Sequence, residues 1–254
     1  MDDPHNDEVL SHAEFWDGRY AEAKAGSTST DNAADSTTTS PSAVAPAAPT
    51  HEWFRTYSDL EPFLKKVLFG RPGCRPADNP RILHLGCGDS VIPAALEEQQ
   101  GYRDQLCVDF SATVIALMQA RYAGRSMRWR EMDVRAMADL TAASIDVAFD
   151  KGTLDAMIHG SPWSPPDDVL DNTGRYLREV WRVLAEDGVF VYVTFRQPHF
   201  IRPLFEKSLA GGRGEDEGDK GDKGRAWNMQ LEILGGTEGT FNYYGWVITK
   251  GKAE

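Results

Sequence analysis

The stretch Arg81-Ile82-Leu83-His84-Leu85-Gly86-Cys87-Gly88-Asp89-Ser90 decides the fold of this chain. A mostly apolar run leads directly into two glycines one residue apart, and then into two residue types that favour the start of a helix. This order predicts a buried parallel strand, a tight turn and a helix. Glycine suits such a turn because, without a Cβ atom, its backbone can pass close beneath a ligand. Open α/β folds bind their ligands at this edge of the sheet.

The glycine pattern alone does not say which ligand is bound. A dinucleotide-binding loop has the pattern G-x-G-x-x-G, whose third glycine lets the helix approach the pyrophosphate. In this chain Val91 stands at the position of the third glycine. S-adenosylmethionine contains no phosphate and does not need that close approach. The turn is therefore compatible with an S-adenosylmethionine site and with a plain strand–turn–helix unit.

Three acidic residues follow the glycine turn, each at the end of a predicted strand. These strands are 105–108, 127–132 and 144–149. Asp109 lies 23 positions after Gly86, close to the spacing at which an acid accepts hydrogen bonds from both ribose hydroxyls. Asp133 is placed to accept a hydrogen bond from the exocyclic amine of adenine. Asp150 ends the next strand. This order predicts an S-adenosylmethionine site at the carboxyl edge of the sheet.

The rest of the chain predicts further elements of the same sheet. One helix is predicted to begin at a capping box formed by Ser58 and Glu61, and another at Asn172 or Thr173. The later predicted strands are 189–195, 227–234 and 241–249. The last two form a terminal hairpin, which adds an antiparallel strand to a parallel sheet. We therefore expect an α/β fold: a seven-stranded Rossmann-like sheet of the class I methyltransferase type, with helices on both faces.

Two low-complexity segments interrupt this pattern. Residues 25–50 consist almost entirely of Ala, Gly, Ser, Thr, Asp and Pro, and residues 211–224 are rich in Gly and charge. Neither segment contains enough apolar surface to bury, so both are expected to be disordered insertions. Closing a loop of this length adds only about 1.5–2 kcal/mol of entropy cost, which a fold tolerates. The chain, residues 1–254, is therefore expected to form a single domain.

Composition excludes several classes of protein. The chain has 254 residues, an apolar content of 41% and a formal net charge of -12, which disfavours nucleic acid or an anionic membrane as the main partner. Its 3 cysteines form no C-x-x-C pattern, so neither a disulfide framework nor a zinc site is expected. The acidic start is no signal peptide, and no apolar run is long enough to span a membrane. A cytoplasmic location is therefore expected.

Several stretches resemble one eukaryotic family. They are Phe15–Tyr20, Trp53–Phe54, Leu85–Ser90, Val108–Ser111, Met132–Arg135 and, most specifically, Asp150-Lys151-Gly152-Thr153-Leu154-Asp155-Ala156. The family is the methyltransferase-like protein 13 group, which includes lysine methyltransferases of translation elongation factor 1-alpha. The resemblance covers the chain apart from the two insertions. It is loose after Gln197, in the region that usually faces the substrate.

The resemblance implies a set of residues that bind S-adenosylmethionine. They are Trp16, Tyr20, Trp53, Gly86, Asp109, Phe110, Asp133, Val134 and Lys151, to which the glycine pattern adds Gly88. The helix that contains Trp16 and Tyr20 is expected either to dock on the core or to close over the ligand as a lid. Asp150 is either a catalytic residue that orients the acceptor amine or a structural acid at a strand end.

Three functions remain compatible with the sequence. The first, which the resemblance implies, is methylation of a lysine in a protein such as elongation factor 1-alpha. The second is methylation of a small molecule, which would require the loops around Trp163 and His199 to close into a small apolar pocket. The third is a non-catalytic scaffold that binds S-adenosylmethionine, against which the intact glycine turn and the three acids argue. The sequence does not indicate an oligomeric state.

Overall fold

The computed structural model describes residues 7–28, 51–209, 224–235 and 242–252. The insertions expected at 25–50 and 211–224 lie outside the described residues, apart from residues 25–28 and Gly224. The first helix continues to Thr28, so the boundary expected at residue 25 is wrong. The alanines and the lysine just before that boundary are strong helix formers, which allows the helix to continue.

The core of the fold is a seven-stranded sheet with the strand order β3-β2-β1-β4-β5-β7-β6. Its strands are β1 Ile82–Leu85, β2 Gln105–Asp109, β3 Arg128–Glu131, β4 Ile145–Lys151, β5 Leu184–Thr194, β6 Arg225–Ile233 and β7 Tyr244–Lys252. The strands β1 to β5 are parallel to their neighbours, whereas β7 runs antiparallel to both β5 and β6. The Rossmann-like sheet with a C-terminal antiparallel hairpin, predicted from the sequence, is thereby confirmed.

Seven α-helices connect and cover the strands in the described part of the chain. They are α1 Ala13–Thr28, α2 Tyr57–Leu64, α3 Ile92–Ala95, α4 Ala112–Arg121, α5 Thr153–Ala156, α6 Asp167–Val183 and α7 Pro198–Leu209. Helices α2 and α3 each continue directly into a π-helical turn, Lys65–Phe69 and Leu96–Gln100. None of the helices described is both long and apolar enough to cross a membrane.

The two faces of the sheet are covered by different helices, because successive side chains of a strand point to opposite faces. On β5, Val191 packs with the apolar residues of α2 and α3, whereas Phe190 and Tyr192 pack with those of α6 and α7. Every residue of β1 and β2 is buried. Because both faces are covered, the carboxyl edge of the parallel strands is the part of the sheet left open for a ligand.

Two predicted helix starts are wrong. Helix α2 is capped by Thr56 and Asp59, whose side chains each bond the other's backbone N–H, two residues before the predicted box of Ser58 and Glu61. The earlier start buries Tyr57 in the core. Helix α6 begins at Asp167 rather than at Asn172 or Thr173, directly after two prolines. Acids in its first turn favour that start, since they complement the helix dipole.

Candidate functional site

A cavity of about 300 Å³ lies at the carboxyl ends of β1, β2 and β4. Its wall contains all ten residues that the sequence predicts for cofactor binding: Trp16, Tyr20, Trp53, Gly86, Gly88, Asp109, Phe110, Asp133, Val134 and Lys151. The wall is mainly apolar, with a few polar groups, as is usual for small-molecule sites. The topology therefore brings the predicted residues into one site, although their contacts with a cofactor stay a prediction.

The glycine turn forms the floor of this cavity. Gly86 and Gly88 have φ angles of 58° and 51°, in the left-handed region that glycine adopts at little cost. A Cβ atom on Gly86 would lie 2.2 Å from Oγ1 of Thr153, and one on Gly88 would lie 2.7 Å from the hydroxyl of Tyr20. Only glycine fits at both positions, because the space of each Cβ atom is already taken by the side chain of Thr153 or Tyr20.

Asp109 is the acid that ends β2, and it is fixed by two backbone amides. Its Oδ2 accepts a hydrogen bond of 2.9 Å from Gly88 N–H, and its Oδ1 accepts one of 3.0 Å from Ser111 N–H. Burial raises the pKa of Asp109 to about 6, although both hydrogen bonds lower it. The carboxylate is thus held in a defined orientation at the cavity wall, as a group that accepts hydrogen bonds from ribose hydroxyls must be.

Asp133 is held by a different partner, Arg135. The guanidinium donates to both carboxylate oxygens, at 2.8 to 3.1 Å, and also donates to Asn172 at 2.9 Å. Burial raises the pKa of Asp133, but the hydrogen bonds from Arg135 outweigh this effect and hold the pKa below its ordinary value. Asp133 is therefore a negatively charged hydrogen-bond acceptor in a fixed position. The apolar side chains of Met132 and Val134 beside it are suitable surroundings for an adenine ring.

Lys151 connects the end of β4 to the segment that follows residue 50. Its ammonium donates to the carbonyl of Trp53 at 2.7 Å and lies 3.1 Å from Glu52, with only 6% of the Lys151 side chain exposed. Burial lowers the pKa of Lys151, and the carboxylate of Glu52 opposes that shift. Glu52 also accepts from Val91 N–H and from the hydroxyl of Ser90. The segment is thus fixed across the glycine turn.

The aromatic wall of the cavity comes from α1 and from this segment. The rings of Trp16 and Tyr20 stack with centroids 6.0 Å apart, and the ring of Trp16 meets Trp53 edge-on at 5.6 Å. Asp17 holds α1 to the start of α4 by accepting a hydrogen bond from the hydroxyl of Ser111. The helix therefore docks on the core and also lines the cavity, whereas its closing over a ligand as a lid stays a prediction.

A second aromatic group forms the rim of the cavity. The ring of Phe54, which has a φ of 65°, lies 5.3 Å from Phe195 and 5.8 Å from Tyr243. A Cβ atom on Gly152 would lie 2.9 Å from the Phe54 ring, so this glycine allows the ring to pack against the end of β4. We name Phe54, Phe195 and Tyr243 the aromatic rim. The sequence contained no short-range signal that joined these three residues.

Asp150 does not line the cavity, so the geometry does not support the predicted catalytic role. Its carboxylate is fully buried and accepts hydrogen bonds from Thr153 N–H, Leu154 N–H and the hydroxyl of Tyr176, at 2.7 to 3.0 Å. Burial raises the pKa of Asp150 to about 7, against these hydrogen bonds. The residue caps α5 and joins it to α6, which is the structural alternative that the sequence left open.

Asp155 and Arg196 line the cavity and were not predicted as site residues. Asp155 accepts hydrogen bonds from the hydroxyls of Tyr192 and Thr194, at 2.7 and 2.6 Å, and burial raises its pKa to about 6. Arg196 donates to the carbonyl oxygens of Asp155 and Ile158, at 3.2 and 2.6 Å. These contacts fix the loop after α5 to the end of β5.

Sequence comparison identifies a methyltransferase domain at residues 83–192. The chain is 37% identical over 190 residues to EEF1A lysine methyltransferase 4 of Bos taurus, covering 74% of this chain and 62% of the relative. The Mus musculus relative of the same name is 34% identical over 200 residues, covering 78% and 66%. The chain thus spans somewhat less than two thirds of the length of these relatives.

Solved structures show the same fold at low sequence identity. A methyltransferase of Leishmania major superposes with a TM-score of 0.56 at 12% identity, covering 95% of this chain and 88% of the other. A 1,6-didemethyltoxoflavin-N1-methyltransferase of Burkholderia thailandensis, solved with S-adenosylhomocysteine, gives a TM-score of 0.52 at 15% identity, covering 100% and 92%. At such identities the agreement shows the fold alone.

The sheet order, the glycine turn and the matched domain define a class I S-adenosylmethionine-dependent methyltransferase, with S-adenosylmethionine as its cofactor. Within that class the chain is similar in sequence to the EEF1A lysine methyltransferase 4 proteins of Bos taurus and Mus musculus. The family resemblance expected from the sequence is confirmed.

Proposed function

We propose that this chain methylates a lysine side chain of a protein, and that the protein is elongation factor 1-alpha. The observation that carries the proposal is the aromatic rim, of which Phe54 and Phe195 line the cofactor cavity, with Phe195 44% exposed to solvent. Aromatic rings between a cavity and solvent suit a long, unbranched side chain with a cationic end. The names of the relatives supply the candidate protein, and a cytoplasmic location follows for this chain if that substrate is correct.

Each end of the cofactor has a suitable set of residues. The glycine turn and the hydroxyl of Tyr20 would surround the amino acid portion of the cofactor. Asp109 would accept hydrogen bonds from the ribose hydroxyls, and Asp133 would accept one from the adenine amine. When bound, S-adenosylmethionine supplies a methyl group on a sulfonium, whose loss leaves a neutral sulfide. Since the leaving group needs no proton, the protein mainly has to align donor and acceptor.

The acceptor amine must be neutral when it attacks the methyl carbon. The nitrogen lone pair forms the new C–N bond, the C–S bond breaks, and its electron pair stays on sulfur. A lysine with an ordinary pKa of about 10.4 costs roughly 4 kcal/mol to hold neutral at pH 7.4. A rim of aromatic rings lowers that cost because desolvation disfavours the charged ammonium. The proton would leave to solvent before methyl transfer.

The small-molecule alternative has weaker support. That alternative requires the loops around Trp163 and His199 to close into a small apolar pocket. The Trp163 side chain is instead 80% exposed. An open loop with an exposed tryptophan suits a macromolecular substrate better than an enclosed metabolite.

Incubation with labelled S-adenosylmethionine and a fractionated lysate tests the proposal directly. We expect label in protein, released by hydrolysis as methylated lysine, and much less of it with the Asp109→Ala variant at a low concentration of S-adenosylmethionine. Label confined to small molecules would replace the proposal with the small-molecule alternative. Absence of all label, with S-adenosylhomocysteine still bound in calorimetry, would favour the scaffold.

A further inference from the structure

Trp163 is the most exposed large apolar side chain in the described part of the chain, at 80%. Its ring centroid lies 4.9 Å from that of Phe200, edge-on, and 5.8 Å from that of His199. We name Trp163, His199 and Phe200 the aromatic patch. Clustered exposed aromatic side chains of this kind usually mark a binding surface, whereas apolar residues that are exposed singly need no explanation.

The aromatic patch is continuous with the cofactor cavity. The loop that contains Trp163 begins at Met157, a cavity residue, and the chain that leads to His199 leaves the cavity at Arg196. Arg196 ties the two segments together through its hydrogen bonds to Asp155 and Ile158. A substrate whose side chain enters the cavity would therefore have its neighbouring residues near this surface.

The loop presents Trp163 outward and is itself well braced. His159 and Asp168 are hydrogen-bonded at 2.8 Å across the base of the loop. Gly160, with a φ of 69°, packs against Pro166 so closely that a Cβ atom would lie 3.2 Å from the proline ring. Because the base is fixed in this way, the indole is held in solvent rather than left to fold back onto the core.

Charges near the aromatic patch favour a basic partner. Asp167 and Asp168 follow the loop directly and are exposed. The nearby cations are directed elsewhere, since the guanidinium of Arg202 lies 5.0 Å from the ring of Trp246 and that of Arg196 is bonded to carbonyl oxygens. The carboxylate of Asp168 is bonded to His159, which leaves Asp167 as the exposed acid four residues after Trp163. An exposed indole close in sequence to such an acid suits lysine and arginine, whose stems pack on the ring and whose charges are attracted by the carboxylate.

We propose that the aromatic patch is the docking surface for a basic segment of the protein substrate, next to the lysine that is methylated. This inference rests on the proposed function and adds to it the surface that selects the substrate. It assigns Trp163 a role in binding protein and none in binding the cofactor.

The Trp163→Ala variant tests this proposal in two ways, with purified elongation factor 1-alpha as the probe. We expect KM for that protein to rise about tenfold, the usual effect of removing a central aromatic anchor. Equilibrium binding of the same protein, measured without S-adenosylmethionine, should weaken by the same factor. Affinity for S-adenosylhomocysteine and the melting temperature should stay at the wild-type values, because the indole is exposed. Leu231→Ala, which removes an exposed apolar side chain on the edge strand β6, is the matched control and should change neither KM nor binding.

The two readouts separate this inference from the proposed function. Unchanged KM and unchanged binding in Trp163→Ala would overturn the docking surface alone. So would an equal effect of Leu231→Ala, or a loss of S-adenosylhomocysteine affinity in the tryptophan variant. A third outcome is that the wild type binds the probe and Trp163→Ala weakens this binding, but no methyl group is transferred. This outcome would support the docking surface and overturn the proposed activity. If the wild type neither binds nor methylates the probe, the docking surface fails together with the choice of substrate.

Discussion

Gly86 shows how a single residue without a Cβ atom lets a neighbouring side chain pack against the glycine turn. Its φ of 58° disfavours any residue with a Cβ atom, and the position of that atom is already occupied by Thr153. Thr153 is held there by hydrogen bonds from its hydroxyl to the carbonyl oxygens of Leu85 and Gly86, at 2.7 and 3.2 Å. The threonine cannot move away without losing both.

The Gly86→Ala variant should therefore be less stable than backbone strain alone explains. Gly124 has a φ of 83° and nothing within 4 Å of its added Cβ atom, so Gly124→Ala measures the strain by itself, about 1–2 kcal/mol. We expect Gly86→Ala to cost about 1–3 kcal/mol more, from the overlap with Thr153. Urea unfolding of both variants measures the difference. Equal costs would mean that Thr153 moves freely.

We propose that Asp109 binds the cofactor through a carboxylate that the backbone amides of Gly88 and Ser111 already orient. Asp109→Ala should weaken the binding of S-adenosylhomocysteine by about 1.5–3 kcal/mol, the range for hydrogen bonds to a charged group. Wild-type affinity should also fall as the pH drops below about 6, where the buried carboxyl becomes protonated. Calorimetry measures both effects, with the exposed Asp187→Ala as control. An Asp109→Ala variant with wild-type affinity would refute the assignment to the ribose.

At the scale of secondary structure, the end of β4 joins three elements through one buried acid. Asp150 accepts from two backbone amides of α5 and from Tyr176 on α6, and burial raises its pKa to about 7. The folded chain therefore holds this proton more tightly than the unfolded chain, where the pKa is about 3.9. Stability from this group increases as the pH falls through 7, the reverse of an ordinary paired carboxylate.

This linkage predicts a pH-dependent stability that the Asp150→Asn variant removes. Between pH 8 and 6.5 the wild type should gain about 1 kcal/mol of unfolding free energy from Asp150, while the variant should not. Burial lowers the pKa of His84 to about 4, so His84 decreases the stability as the pH falls, opposite to Asp150. This effect of His84 lies mostly at pH values below the range from 8 to 6.5. Urea unfolding across the range measures the slopes, with Asp187→Asn as the surface control. Parallel slopes for wild type and variant would contradict the account of Asp150.

The elements that form the site differ in how far the sequence predicts them. Gly86, Asp109 and Asp133 follow from local rules, because each stands at the end of a strand or within two residues after it. The bond between Lys151 and the carbonyl of Trp53 joins residues 98 positions apart, and no local pattern encodes it. The aromatic rim was missed for the same reason. Asp150 matched its pattern, but only the packing of α5 and α6 reveals that it is enclosed.

At the scale of the whole molecule, cofactor and substrate surfaces occupy one edge of the sheet. The cavity lies at the ends of β1, β2 and β4, and the aromatic patch lies on the chain that follows β4 and β5. A formal net charge of -12 would attract a basic protein toward this acidic chain. In the proposed account, the cofactor and the protein substrate thus bind to separate surfaces at this edge of the sheet.

Peptide mass spectrometry of elongation factor 1-alpha, after incubation with the purified chain and S-adenosylmethionine, tests the central claim most directly. The account predicts one or more methyl groups on a lysine side chain. They should be greatly reduced with the Asp109→Ala enzyme at a low concentration of S-adenosylmethionine, and absent when that lysine is replaced by arginine. The rate should rise with pH, because only the neutral amine attacks. An unmodified substrate, with an enzyme that binds S-adenosylhomocysteine normally, would contradict the claim.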